Sequence, residues 1–183
     1  MSNWPRLARR ARVPLGFVLA VLYLWLARPA WWSIAVGAVI ASSGLALRAV
    51  ASGHITKDRA LTTTGPYAYT RNPLYLGSIL IAAGFAVASL SGWVVLVLVV
   101  MFTAIYLPTI RSEESYLRAA FPEFDDYCRR VPRLLPRLSA GPESATGAFS
   151  RELYLRHREY NALLGSAAMI AALALKLLWL HGS

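Results

Sequence analysis

The sequence predicts an all-α integral membrane protein with about five transmembrane helices and its polar loops gathered on the cytoplasmic side. Three observations predict it. Hydrophobic residues make up 57% of the 183 and charged residues 15%, with a mean hydropathy of +0.47, a balance too apolar for an ordinary soluble domain. Five apolar runs approach the roughly 20 residues that cross a hydrocarbon layer. The basic side chains cluster where five alternating crossings would bring them to one face.

The runs follow in order. Val13–Ala27 is preceded by basic residues, as a signal peptide would be, but Arg28-Pro29 stands where an A-x-A-type exit would be expected. Trp31-Trp32 then reads as an interfacial belt, so the run is an anchor. Trp31–Val50 is the second; its Gly37, Ala41 and Gly44, with Gly84 in the third run, suit close helix packing. Leu74–Leu90 and Trp93–Ile110 are short and joined by Ser91-Gly92, which makes a helical hairpin, either tilted or not fully crossing. Ala162–Leu180 is the last. The linker-like Gly141–Ser150 helps divide the chain into two N-terminal helices (1–50), a core with the hairpin (51–138) and a C-terminal part (139–183). There "RELYLRHREYNALLG" reads as an interfacial helix bending into the final span.

The net charge of +10 has a topological explanation. Arg6, Arg9, Arg10 and Arg12 precede the first helix; Arg48, Lys57, Arg59 and Arg71 surround the loop between the second and third; many more lie between Arg111 and Arg158. Only Arg28 and Lys176 fall toward the other face, and Lys176 can snorkel from a helix end. The positive-inside rule puts the N-terminus in the cytoplasm and the C-terminus outside, in the inner membrane if the cell is bacterial. No nucleic-acid partner is needed to account for the charge. Cys128 is the only cysteine, so there is no intrachain disulfide and no zinc-ligand spacing.

Chemistry is therefore sought in two cytoplasmic segments, His54–Gly77 and Arg111–Pro136. In the first, Gly65-Pro66 marks a turn and Asn72-Pro73 a helix start, whose free N–H groups suit an anion. Tyr67, Tyr69 and Tyr75 offer flat surfaces for a ring or cation, or else form an interfacial belt. In the second, Glu113 and Glu114 emerge near membrane depth. Glu113 either faces the interior above Leu117, or the pair is a solvated acidic step with Glu114 bonded to Arg118. Phe121, Phe124, Tyr127 and Val131 recur at helical spacing and read as a short amphipathic helix on the membrane.

In order, Thr63-Thr64-Gly65-Pro66-Tyr67, Arg71-Asn72-Pro73-Leu74-Tyr75-Leu76-Gly77, Glu113-Glu114-Ser115-Tyr116-Leu117 and Phe121 through Pro132 resemble a known pattern. It is that of the integral-membrane methyltransferases of the isoprenylcysteine carboxyl methyltransferase and phospholipid methyltransferase group. The resemblance covers about Ser52 to Pro136. It implies an S-adenosylmethionine site lined by Arg59, Ala60, Leu61 and Thr62, then Tyr67, then Asn72, Pro73, Leu74 and Tyr75, and finally Glu113; a family glutamine falls near Ser52. It also implies a lipophilic small-molecule acceptor that reaches the site from membrane lipid.

Two positions depart from the pattern. Asn72 replaces a histidine, keeping hydrogen bonding without proton transfer. Thr109 stands where carboxyl-methylating members carry an arginine for the substrate carboxylate. Arg111 lies two residues on, about 200° around a helix. Arg111 and His54 are the candidates for the acceptor side, His54 also reading as an interfacial residue at a helix end. A Gly-x-Gly-x-x-Gly run is absent, which disfavours a soluble Rossmann-type enzyme. Two alternatives stand: a sterol-type reductase using NADPH, and a non-enzymatic membrane assembly or transport protein.

Overall fold

A computed structural model describes residues 17–55, 61–139 and 148–182. Helix α1 is Phe17–Leu26 and α2 is Trp31–Ser52. A single 3-10 turn at Gly65–Ala68 precedes α3, Pro73–Ser89. Next come α4 (Gly92–Met101), a π turn (Phe102–Tyr106) and α5 (Leu107–Ala120), which run on as one rod. Two short helices, α6 (Phe124–Arg130) and α7 (Arg151–His157), lead to α8, Tyr160–Gly182. The described residues form an all-helical protein with three helices long and apolar enough to cross a membrane: α2, the α4–α5 rod and α8. The other two expected spans are shorter apolar helices, α1 and α3; the expected start of the first, at Val13, lies outside the described residues.

Small residues bring α2 and α3 together in antiparallel register. Gly37 faces Gly84 and Ala88, and Gly44 faces Gly77, where a Cβ on Gly44 would stand 2.5 Å from the Gly77 carbonyl oxygen. Ser33 Oγ, fully buried, donates to the Ala88 carbonyl at 3.1 Å. Without side chains between them the backbones approach closely, which is how apolar helices associate when lipid is as oily as leucine. At one end Ala27, Ile34, Ala88, Leu173 and Leu177 form a core joining α1, α2, α3 and α8. Lys176 does not snorkel there. Its Nζ donates to the carbonyls of Leu24 and Ala27, both at 2.6 Å, capping the C-terminal end of α1.

The rod extends ten residues beyond the Ile110 expected from hydropathy. At 29 residues it is about 43 Å long against a hydrocarbon core of about 30 Å. That excess length is enough for its last turns, with Glu113 and Glu114, to reach past the hydrocarbon. The π turn lies just before Pro108, which withholds an N–H from the carbonyl four residues back. Helix α6 also differs from expectation. Phe124, Tyr127 and Val131 are buried against Leu61, Leu117 and Phe121, so its apolar face meets protein and not the membrane.

Candidate functional site

The site forms where the loop before α3, the end of α5 and the stretch after α6 meet. Gly65 has φ +59, and a Cβ there would lie 2.6 Å from the His54 ring, so the turn requires glycine on both counts. It turns Tyr67 inward, where the Tyr67 carbonyl accepts from Tyr127 Oη at 2.6 Å. From there the chain is strapped to residues 131–137. Arg71 N–H donates to the Pro132 carbonyl at 2.9 Å, Asn72 Nδ2 to that of Arg133 at 3.0 Å, and Arg137 N–H to that of Tyr69 at 3.0 Å. Thr70 Oγ1 adds bonds to the carbonyls of Arg133 and Leu134. These bonds satisfy backbone and side-chain groups that a buried loop would otherwise leave unpaired.

A cavity of about 250 Å³ opens between these parts, small for a ligand site. Leu61, Thr62, Tyr67, Asn72 and Glu113 line it, with Arg71 and Glu114 beside them and Phe121, Phe124 and Tyr127 as an apolar wall. Glu114 is the buried carboxylate of the pair, its side chain 7% exposed. It accepts from Arg133 Nη2 at 2.7 Å and Nε at 3.0 Å, and Arg71 Nη2 approaches at 3.3 Å. Hydrogen bonding to Glu114 and its charge raise the Arg133 pKa further, so the guanidinium stays charged. Arg118 pairs with Asp125 at 2.8 Å, not with Glu114. Glu113 is more open, and nearby the Tyr75 ring sits edge-on to Tyr106 at 5.5 Å.

Two buried polar atoms at this cavity have no hydrogen-bond partner among the described residues, Tyr67 Oη and Arg71 Nε. Burial, then the nearby Tyr127 and Glu113, push the Tyr67 pKa well above its ordinary value, keeping the phenol neutral and able to donate. Unpaired buried polar groups are uncommon and costly, and a bound ligand is one way to satisfy them.

Other expected site residues lie outside the cavity lining. Pro73 is buried at the start of α3, and the Leu74 carbonyl accepts from Arg48 and Ser78. Tyr75 is not part of the lining and packs edge-on against Tyr106. Ser52 is buried with its Oγ bonded to the Ala49 carbonyl. His54 holds the Val50 carbonyl through Nδ1 at 2.8 Å and packs on Phe149. Arg111 is exposed and off the cavity. Arg59 and Ala60 lie outside the described residues. Sequence reasoning did not single out Arg71, Glu114 or Arg133 as a cluster. The first two stood in the quoted motifs, but nothing local announced that Arg133, 19 residues from Glu114, would complete it. A larger cleft of about 580 Å³ lies between Trp25, Arg28, Leu90 and Trp93, with Arg28 the one charged residue among the described residues that line it.

Fold and site together define a helical membrane protein with a partly polar cavity of about 250 Å³ at one end of its bundle. The chain belongs to the phospholipid methyltransferase family, whose model matches residues 11–123. It is 39% identical over 102 residues to the nickel-cobalt-cadmium resistance protein NccN of Alcaligenes xylosoxydans xylosoxydans, covering 53% of this chain and 48% of that one. It is 42% identical over 83 residues to the cobalt-zinc-cadmium resistance protein CzcN of Cupriavidus metallidurans, covering 45% of this chain and 38% of the relative. The chain thus spans less than half the length of each of these relatives. No solved structure matches it.

Proposed function

We propose that the chain transfers a methyl group from S-adenosylmethionine to a lipophilic or amphipathic acceptor at the inner face of a bacterial inner membrane. The observation that carries the reading is the meeting of Tyr67, Asn72 and Glu113 around one cavity that also holds two unpartnered polar atoms. They come from a turn, a helix start and a separate long helix. Family membership supports methyl transfer as the reaction class.

When bound, S-adenosylmethionine supplies a methyl carbon on a sulfonium and leaves as a neutral thioether. This chain's residues bind and orient. Glu113 accepts from hydroxyl or amine groups and Tyr67 donates, both from the cavity wall. Phe121, Phe124 and Tyr127 keep one wall dry. Displacement at carbon needs alignment more than strong acid catalysis, and positioning can supply ~7–11 kcal/mol of such a barrier. Thr109 and Arg111 are exposed and off the cavity, so no guanidinium stands where carboxyl-methylating members hold the substrate carboxylate, and the acceptor class stays open between a carboxylate, a lipid amine and a thiol.

Calorimetry with S-adenosylhomocysteine on detergent-solubilised protein tests the reading: binding is expected, and Glu113→Ala abolishes it while the protein stays folded. Undiminished binding by that variant overturns the assignment of Glu113. The relatives are named for metal resistance, and a second reading is a non-enzymatic part in such resistance. A melting-temperature rise with cobalt or cadmium but not with S-adenosylhomocysteine would choose it, and a rise with NADPH alone would choose the reductase.

A further inference from the structure

We infer that Glu159, in the corner between α7 and α8, is a positioning residue for the cavity and acts through Arg48. The inference rests on the proposed function, because the site it positions is the one assigned there. Arg158 adopts φ +54 and breaks the helix, setting Glu159 at the corner with its side chain only 12% exposed. Both carboxylate oxygens are held by Arg48 of α2, Nε at 2.9 Å and Nη2 at 2.8 Å. The remaining edge of the same guanidinium reaches α3: Nη1 donates to Ser78 Oγ at 2.6 Å and to the Leu74 carbonyl at 3.2 Å.

One planar fork thus joins α8 to the first two turns of α3, immediately beyond Asn72 and around Tyr75. A bidentate guanidinium–carboxylate pair fixes both angle and distance, which a single contact cannot do. The Arg48 stem crosses the open face of Gly77, where a Cβ would stand 2.5 Å from Arg48 Cγ. A second tie supports this end, since Ser150 N–H donates to the Gly53 carbonyl at 2.9 Å. Glu159 lies beyond residues 11–123, the stretch that the family model matches.

The test measures amide hydrogen exchange and S-adenosylhomocysteine binding on the full chain in detergent, for wild type, Glu159→Gln, Glu159→Asp and Ser78→Ala. Ser78→Ala removes one arm of the network without unpairing a charge, so it stays informative if Glu159→Gln folds poorly. Expected are faster exchange confined to residues 72–78 in Glu159→Gln and Ser78→Ala, binding weakened about tenfold in Glu159→Gln, and partial recovery in Glu159→Asp. Unchanged exchange at 72–78 overturns the inference. So does a general loosening of α2 and α8 with binding per folded molecule unaltered, because the pair would then only anchor α8. If the wild type binds no S-adenosylhomocysteine while exchange at 72–78 still responds, the positioning role stands and the cofactor reading fails.

Discussion

At the level of single residues, the site is built from groups whose partners are far away in sequence, which explains what could be read in advance. Tyr67, Asn72 and Glu113 stood in short motifs and line one cavity. The burial of Glu114 could not be read, because it depends on Arg133 folding back over the loop. Nor could Arg48 be recognised as a hub, since its partner Glu159 is 111 residues away. Tyr67 yields a two-sided prediction. Removing its unpartnered hydroxyl in Tyr67→Phe should leave the ligand-free protein as stable or more so, by up to about 1 kcal/mol, while weakening S-adenosylhomocysteine binding. Thermal melts with and without ligand check both halves. The pH dependence has a definite sign. With the folded-state pKa raised by burial, the stabilisation from neutral Tyr67 is complete below the ordinary tyrosine value near 10 and fades as pH climbs beyond it. Tyr67→Phe should therefore lose less stability than wild type between about pH 9 and 11, by up to ~1.4 kcal/mol per unit.

Among elements, the α2–α3 pair was the most legible, because glycine and alanine at helical spacing leave few other purposes in an apolar run. The close contacts of Gly37, Gly44, Gly77 and Gly84 follow from that spacing. Gly44→Ala should destabilise the protein by about 1–3 kcal/mol, since the added Cβ meets the Gly77 backbone, which cannot rotate aside as a side chain would. Gly165→Ala meets nothing within 4 Å and, being inside α8, should be neutral or gain up to about 1 kcal/mol. Melting temperatures of the two variants in the same detergent make the comparison. Less legible were the far end of α5 and the facing of α6. Hydropathy reports where a helix leaves the hydrocarbon, not where it stops, and helical spacing shows that a face is apolar without saying what covers it.

For the molecule as a whole, the membrane character was plain from composition, whereas the number of full crossings was not, because α3 and the described part of α1 are shorter than the other three. The orientation we propose, with the cavity toward the cytoplasm, has a direct test. Leu138→Cys in a Cys128→Ser background places one thiol at a fully exposed position. A membrane-impermeant maleimide should label it in everted vesicles and not in intact cells; labelling of intact cells would reverse the orientation. The widened turn at Phe102–Tyr106 bears on the molecule's geometry from end to end. By taking up one residue more than an α turn, it offsets everything after it by about 100°. The lipid-buried and carboxylate-bearing stretches of one continuous rod therefore run out of phase, and shortening that turn by a single residue would swing both acids away from the loops they serve.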